Sequence, residues 1–147
     1  MIKTFRGKLL QDGQDKIRLS TKKGKIGYRI VKFQVMPEVM GGASSESCVK
    51  VFKVLQTTVT ASVDFSDGNL LAAATITNHT SGYIYPPGDN IIFDQEIFNQ
   101  DIYVTNKDNA GSEGCNYYLE LETINMTDNA AAVSTLRDIR LNPQVGA

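Results

Sequence analysis

Apolar and polar residues alternate with a period of two along most of the chain, and clusters of Gly, Asn, Asp and Ser interrupt the alternation at short intervals. This is the pattern of half-buried β-strands joined by turns. Residues 2–10 carry Phe5, Leu9 and Leu10 and end at Gln11-Asp12-Gly13, which predicts an edge strand and a turn. In residues 16–21, Ile17 and Leu19 share one face, and Lys22-Lys23-Gly24-Lys25 then predicts a tight basic hairpin turn. Residues 27–36 read as a long strand with Val31, Phe33 and Val35 inward. Tyr28, Ile30 and Met36 then fall on the face of Lys32 and Gln34. Residues 37–47 (PEVMGGASSES) have the composition of an exposed flexible loop, or of a short arm reaching a neighbour. Residues 48–58 predict a strand that is apolar on both faces apart from Lys50, Lys53 and Gln56. Such a strand suits the middle of a sheet or a subunit contact.

Residues 59–65 and 70–78 predict two further strands around Ser66-Asp67-Gly68-Asn69. The run LLAAAT favours helix by propensity alone, but Thr75, Ile76 and Thr77 favour strand. Residues 79–90 form a second long loop, fixed by Pro86-Pro87-Gly88 and bearing Tyr83 and Tyr85. Residues 91–122 predict two strands joined by the polar loop 107–114, a hairpin at the centre of the fold. Phe98, Ile102 and Val104 line one side of its first strand; Ile97, Asp101 and Tyr103 line the other. In the second, Tyr117, Leu119 and Leu121 alternate with Tyr118, Glu120 and Glu122. Thr127-Asp128-Asn129 then caps a helix over about residues 128–140, with Val133, Leu136 and Ile139 near helical spacing and Pro143 beyond its end. Together these elements predict one all-β domain over residues 1–147: a two-sheet antiparallel β-sandwich of about eight strands, jelly-roll-like, with one short C-terminal helix. Its expected core contains Val31, Phe33, Val35, Val51, Phe98, Ile102, Val104, Leu119 and Leu121.

Charge is unevenly placed along this framework. Residues 1–34 hold ten Lys and Arg against Asp12 and Asp15, while the remainder holds five basic and fourteen acidic residues. Because the basic residues lie on strands, the reading preferred over nucleic-acid binding is neutralisation by the acidic remainder, within one subunit or across a subunit contact. The alternative, a sheet face on which Arg6, Lys25, Arg29 and Lys32 interleave with Tyr28 and Phe33, lacks any established nucleic-acid motif. Cys48 and Cys115 are expected as reduced thiols on strands, with a disulfide as the alternative. The single His79 and the absence of a CxxC pair leave no zinc set. Gly41-Gly42 is not followed by a phosphate-loop Lys, and the carboxylate pairs Asp94/Glu96 and Glu120/Glu122 merely share a strand face. No catalytic, cofactor-binding or metal residue is expected, and no enzyme. No apolar run is long enough to span a membrane, and the N-terminus lacks signal-peptide character, so synthesis in a cytoplasm without export is expected.

The segments IRLST (residues 17–21), GYRIVKFQ (27–34), TTVTASVDFSD (57–67), IIFDQEIFNQDIYVTNKD (91–108), CNYYLELE (115–122) and STLRDIR (134–140) resemble small structural proteins of tailed bacteriophages of aquatic bacteria, cyanophages among them. The resemblance covers nearly the whole chain as overall pattern and carries no site motif. It implies a capsid decoration (cement) protein, made in the host cytoplasm and located in the virion. The major capsid protein or other virion proteins would be its partners, and the chain would form a small homo-oligomer such as a trimer, with no membrane and no specific nucleic acid. The competing reading is a tail or fibre component, a host-surface carbohydrate-binding module for which Tyr83 and Tyr85 would supply the stacking platform.

Overall fold

The computed structural model describes residues 1–78 and 90–127. The helix expected over about 128–140 and the loop bearing Tyr83 and Tyr85 lie outside the described residues. Among the described residues eight strands form: β1 (Ile2–Leu9), β2 (Gln14–Ile17), β3 (Ile26–Pro37), β4 (Ser45–Phe52), β5 (Leu70–Asn78), β6 (Asn90–Phe93), β7 (Ile102–Asp108) and β8 (Cys115–Asn125). They make two antiparallel sheets, a small one in the order β1-β8-β3 and a large one in the order β2-β7-β4-β5-β6. Alternation accounts for the way the sheets meet. Phe5, Leu9, Tyr28, Ile30, Phe33, Val35, Tyr117, Leu119 and Leu121 of the small sheet close on Val49, Val51, Ala72, Ala74, Ile76, Ile102 and Val104 of the large one in a single apolar cluster.

Eight of the nine expected core residues are buried there; Val31 is not, at 37 % exposed. Between Ile30, which faces Leu121, and Lys32, which faces Glu120, the ladder with β8 shifts, and Val31 is the unpaired extra residue of a β-bulge. Inward parity therefore changes along β3. Tyr28 and Ile30, expected on the polar face, are buried on one side of the bulge, and Phe33 and Val35 on the other.

Four other expectations are corrected. The stretch 91–104 is two strands rather than one, because β6 and β7 pair with β5 and β4 on different sides. Between them, Phe98 crosses the end of the sandwich and exchanges backbone hydrogen bonds with Tyr28 at 2.7 and 3.0 Å. Next, β7 and β8 are not a hairpin: they lie in different sheets, so residues 109–114 form an arch. The turn at residues 21–24 likewise joins β2 and β3 across the two sheets, closed by Gly24 N–H donating to Thr21 O at 3.2 Å. Finally, residues 59–65 form no strand.

Residues 53–69 lie instead over the outer face of the large sheet, and this explains why β4 is apolar on both faces. The Lys50 ammonium, on that outer face and buried, donates to Thr60 Oγ1 at 3.2 Å and to Ser62 O at 2.7 Å. Gln14 and Gln56 exchange two hydrogen bonds at the β2 edge of the same face. Covering the second face by the chain's own loop leaves β4 a central strand, as one of the two sequence readings had it.

Candidate docking surfaces

The loop after β3 has the sequence Val39-Met40-Gly41-Gly42, and its backbone forms a closed turn. Gly42 N–H donates to Val39 O at 3.1 Å, and Gly41 takes a φ of 69°, the left-handed region that glycine enters without strain. Asn78, the last residue of β5, fixes it from the side. Its Oδ1 accepts Gly41 N–H at 2.9 Å, while its Nδ2 donates to Val39 O at 2.9 Å and Ala43 O at 3.1 Å. A segment whose composition suggested flexibility is thus an ordered projection. At its tip Met40 is 90 % exposed, beside Val39 at 60 %, with Met36 and Leu10 also exposed at this end. Four large apolar side chains held in solvent at one end are the composition of a docking patch.

Next to this end, the outer face of the small sheet carries a trough of about 680 Å³. Arg6 and Gln34 stand on either side of Tyr118 in the register of β1, β8 and β3, and Met36 and Asn116 close the trough toward the turn. The Lys32 ammonium lies 5.8 Å from the centre of the Tyr118 ring, and the Tyr118 hydroxyl donates to Glu120 at 3.1 Å. That hydrogen bond, first, and burial, second, push the hydroxyl's pKa up, so it remains a donor. Lys8, on the rim, is paired with Glu38 at 3.0 Å. Arg6 and Lys32 have no carboxylate partner among the described residues.

At the other end, the segment Asp64-Phe65-Ser66-Asp67 folds into a turn closed by Asp67 N–H donating to Asp64 O at 3.1 Å. The Asp64 carboxylate accepts both the N–H and the hydroxyl of Ser66, and these bonds hold its pKa below the usual carboxylate range. Phe65 stands 68 % exposed between the two aspartates, above a cleft of about 270 Å³ that also takes in Ile92, Asp94 and Glu96.

The basic N-terminal third is met within the chain in part: Lys8, Lys16 and Arg29 form ion pairs. β8, with Glu120 and Glu122, lies between the basic strands β1 and β3, and Arg29 pairs with Glu122. Lys16 reaches Asp101 at 3.5 Å and Lys107 reaches Asp12 at 2.8 Å. Lys22, Lys23 and Lys25 stand exposed around the turn between β2 and β3. Of the residues weighed for a nucleic-acid face, Tyr28 and Phe33 point into the core, which removes the aromatic half of that arrangement. Asp94 Oδ1 accepts Glu96 N–H at 3.0 Å, and Glu96 pairs with buried Lys53 at 2.9 Å, so these carboxylates organise the chain locally. Among the described residues, no three His, Cys, Asp or Glu side chains converge as a metal ion would require.

Both cysteines are free and buried. Burial pushes the Cys115 thiol up to about 11, and burial also raises Cys48. The features that sequence reasoning missed are the ordered turn around Met40 and the acid-flanked Phe65. Gly41-Gly42 was the available signal for the first, and the Asp-x-Ser-Asp spacing for the second. Compared with known proteins, the chain matches no family model, no curated protein and no solved structure.

Proposed function

We propose that this chain is a virion structural protein, a capsid decoration protein that binds the phage shell as a small homo-oligomer such as a trimer, with the major capsid protein as partner. The observation that carries the reading is the apolar tip at Val39 and Met40. It is exposed, yet held in one geometry by main-chain hydrogen bonds from Asn78, so docking it costs little conformational entropy. The resemblance to small phage structural proteins supports the same role, and shell attachment by many copies of a modest contact needs no more than such a tip on each subunit.

The strand pairing supports a jelly-roll reading of the fold. An antiparallel ribbon wound into a jelly roll pairs β1 with β8, β2 with β7, β3 with β6 and β4 with β5. Three of these four ladders are present. β6 pairs with β5 and lies against β3 without a ladder. The helix over about 128–140 belongs to the same proposal.

Quantifying the chain in purified particles tests the role. Shell decoration requires a copy number that follows the capsid lattice, whereas a tail component is present in a handful of copies. Replacing Val39 and Met40 together by Ser should lower particle occupancy about tenfold at limiting protein, the loss of one good apolar anchor. Full occupancy by that variant, or host adsorption lost on replacing Tyr83 and Tyr85, would instead support the tail module.

A further inference from the structure

We propose that two surfaces of this chain bind each other between copies: the Phe65 turn of one molecule enters the Arg6–Tyr118–Lys32 trough of the next. The trough offers a cation beside a half-buried aromatic ring and, diagonally across that ring on β3, a second cation whose ammonium lies 5.8 Å from the ring centre. The turn offers a carboxylate, an exposed aromatic ring and a second carboxylate in four consecutive residues. Laid together, Phe65 meets Tyr118 and the exposed thioether of Met36, while Asp64 and Asp67 come opposite Arg6 and Lys32. Both sides are held in place before contact. The Asp64 carboxylate fixes the knob through Ser66, and the Asp67 carboxylate accepts Asn69 N–H at 2.9 Å. The trough is part of a three-stranded ladder.

The occupant is a second copy because the charges fit and the placement permits it. Arg6 and Lys32 lack carboxylate partners among the described residues, and the Phe65 turn supplies two carboxylates around an apolar group that has no reason to remain in water. The two surfaces cannot meet within one molecule. The trough lies on the outer face of the small sheet, whereas the knob sits beside β5 and β6 of the large sheet, so the body of the sandwich stands between them. A contact between unlike surfaces is heterologous, so its repetition closes a ring when the rotation permits. The inference rests on the small-oligomer part of the reading above and not on shell binding.

Mixing two variants of the purified protein tests it. Arg6→Glu with Lys32→Glu disables the trough and keeps the knob; Phe65→Arg disables the knob and keeps the trough. Sedimentation should show the unaltered protein self-associating, more weakly as salt rises, and each variant alone weakened at least tenfold. An equimolar mixture should recover a one-to-one dimer and nothing larger, because only one competent pair remains. That recovery also demonstrates that both variants are folded. An unaltered protein that stays monomeric at high concentration, a Phe65→Arg protein that associates normally, or a mixture of folded variants that remains monomeric would each overturn the proposal. All are read without particles, so shell occupancy of the Val39/Met40 variant remains an independent measurement.

Discussion

Asp108 ties the arch between the two sheets to the end of β7. Its Oδ1 accepts N–H from Glu46 at 2.9 Å and Ala110 at 3.0 Å, and its Oδ2 accepts Glu113 N–H at 2.9 Å. Burial alone would raise its pKa, but these backbone donors outweigh burial and leave the carboxyl below its usual range. Asp101 is held down in the same way by Ser20 and Leu19 N–H, again against burial, with Lys16 adding to the effect. A depressed folded pKa contributes stability that is complete above the unfolded value of about 4 and is lost as pH falls through the folded value. Asp108→Ala should therefore cost about 3 kcal/mol at neutral pH, and less under acid; urea midpoints across pH 2–7 would show the two curves converging on the acid side. The raised, buried thiols lead to a second expectation. Cys48 and Cys115 should resist alkylation at pH 8 in the native protein and both react in denaturant without reductant. Native labelling, or failure to label after unfolding, would contradict buried free thiols.

Element by element, the bulge in β3 and the strap over the large sheet set which side chains are inside. A strict period-two reading puts Val31 in the core, and one unpaired residue is enough to reverse that. Ile30→Ala should cost about 2–5 kcal/mol and Val31→Ala well under 1 kcal/mol, measured by denaturant unfolding; equal losses would place the bulge elsewhere. Strand positions and turns were readable here because alternation and Gly/Asn/Asp clusters are local signals. The bulge was not, since it depends on how β3 and β8 settle against a shared core. The strap at 53–69 was hidden for another reason: Val59, Val63 and Phe65 alternate like a strand, but pairing needs a free neighbour, and β4 already has β5 and β7. Lys50 anchors this strap through Thr60 and Ser62. Lys50→Ala should speed amide exchange in residues 56–69 while β8 stays protected, and unchanged exchange there would show that the strap is held without it.

Across the whole molecule, the first strand waits for the last described one. Ile2 is paired with Glu122, and β1 has β8 as its ladder partner. Such long-range pairing predicts refolding on the order of milliseconds to seconds, not microseconds; stopped-flow fluorescence of the six tyrosines would measure it, and a microsecond phase carrying the full amplitude would be incompatible with this topology. The class of fold was legible from alternation, but sheet membership was not. The polar loop after β7 has a hairpin's composition, yet β7 and β8 serve opposite sheets, because composition records a change of direction and not which partner lies on the far side. The candidate surfaces were the least legible. Exposure of Met40 and Phe65 is decided by what the rest of the chain leaves uncovered, which no window of residues contains.

The Asn78 clamp addresses main-chain atoms only: one N–H of Gly41 and the carbonyls of Val39 and Ala43. Nothing in it specifies the side chains at positions 39 and 40. Sequence at the tip can therefore drift, or be rewritten, while the scaffold keeps its shape, provided glycine remains at 41 and at 42, where a Cβ would lie 2.8 Å from that of residue 39, and asparagine at 78. Related chains that carry this clamp would be free to change whom they recognise without changing how they fold, and the same positions are a natural place to display a foreign peptide.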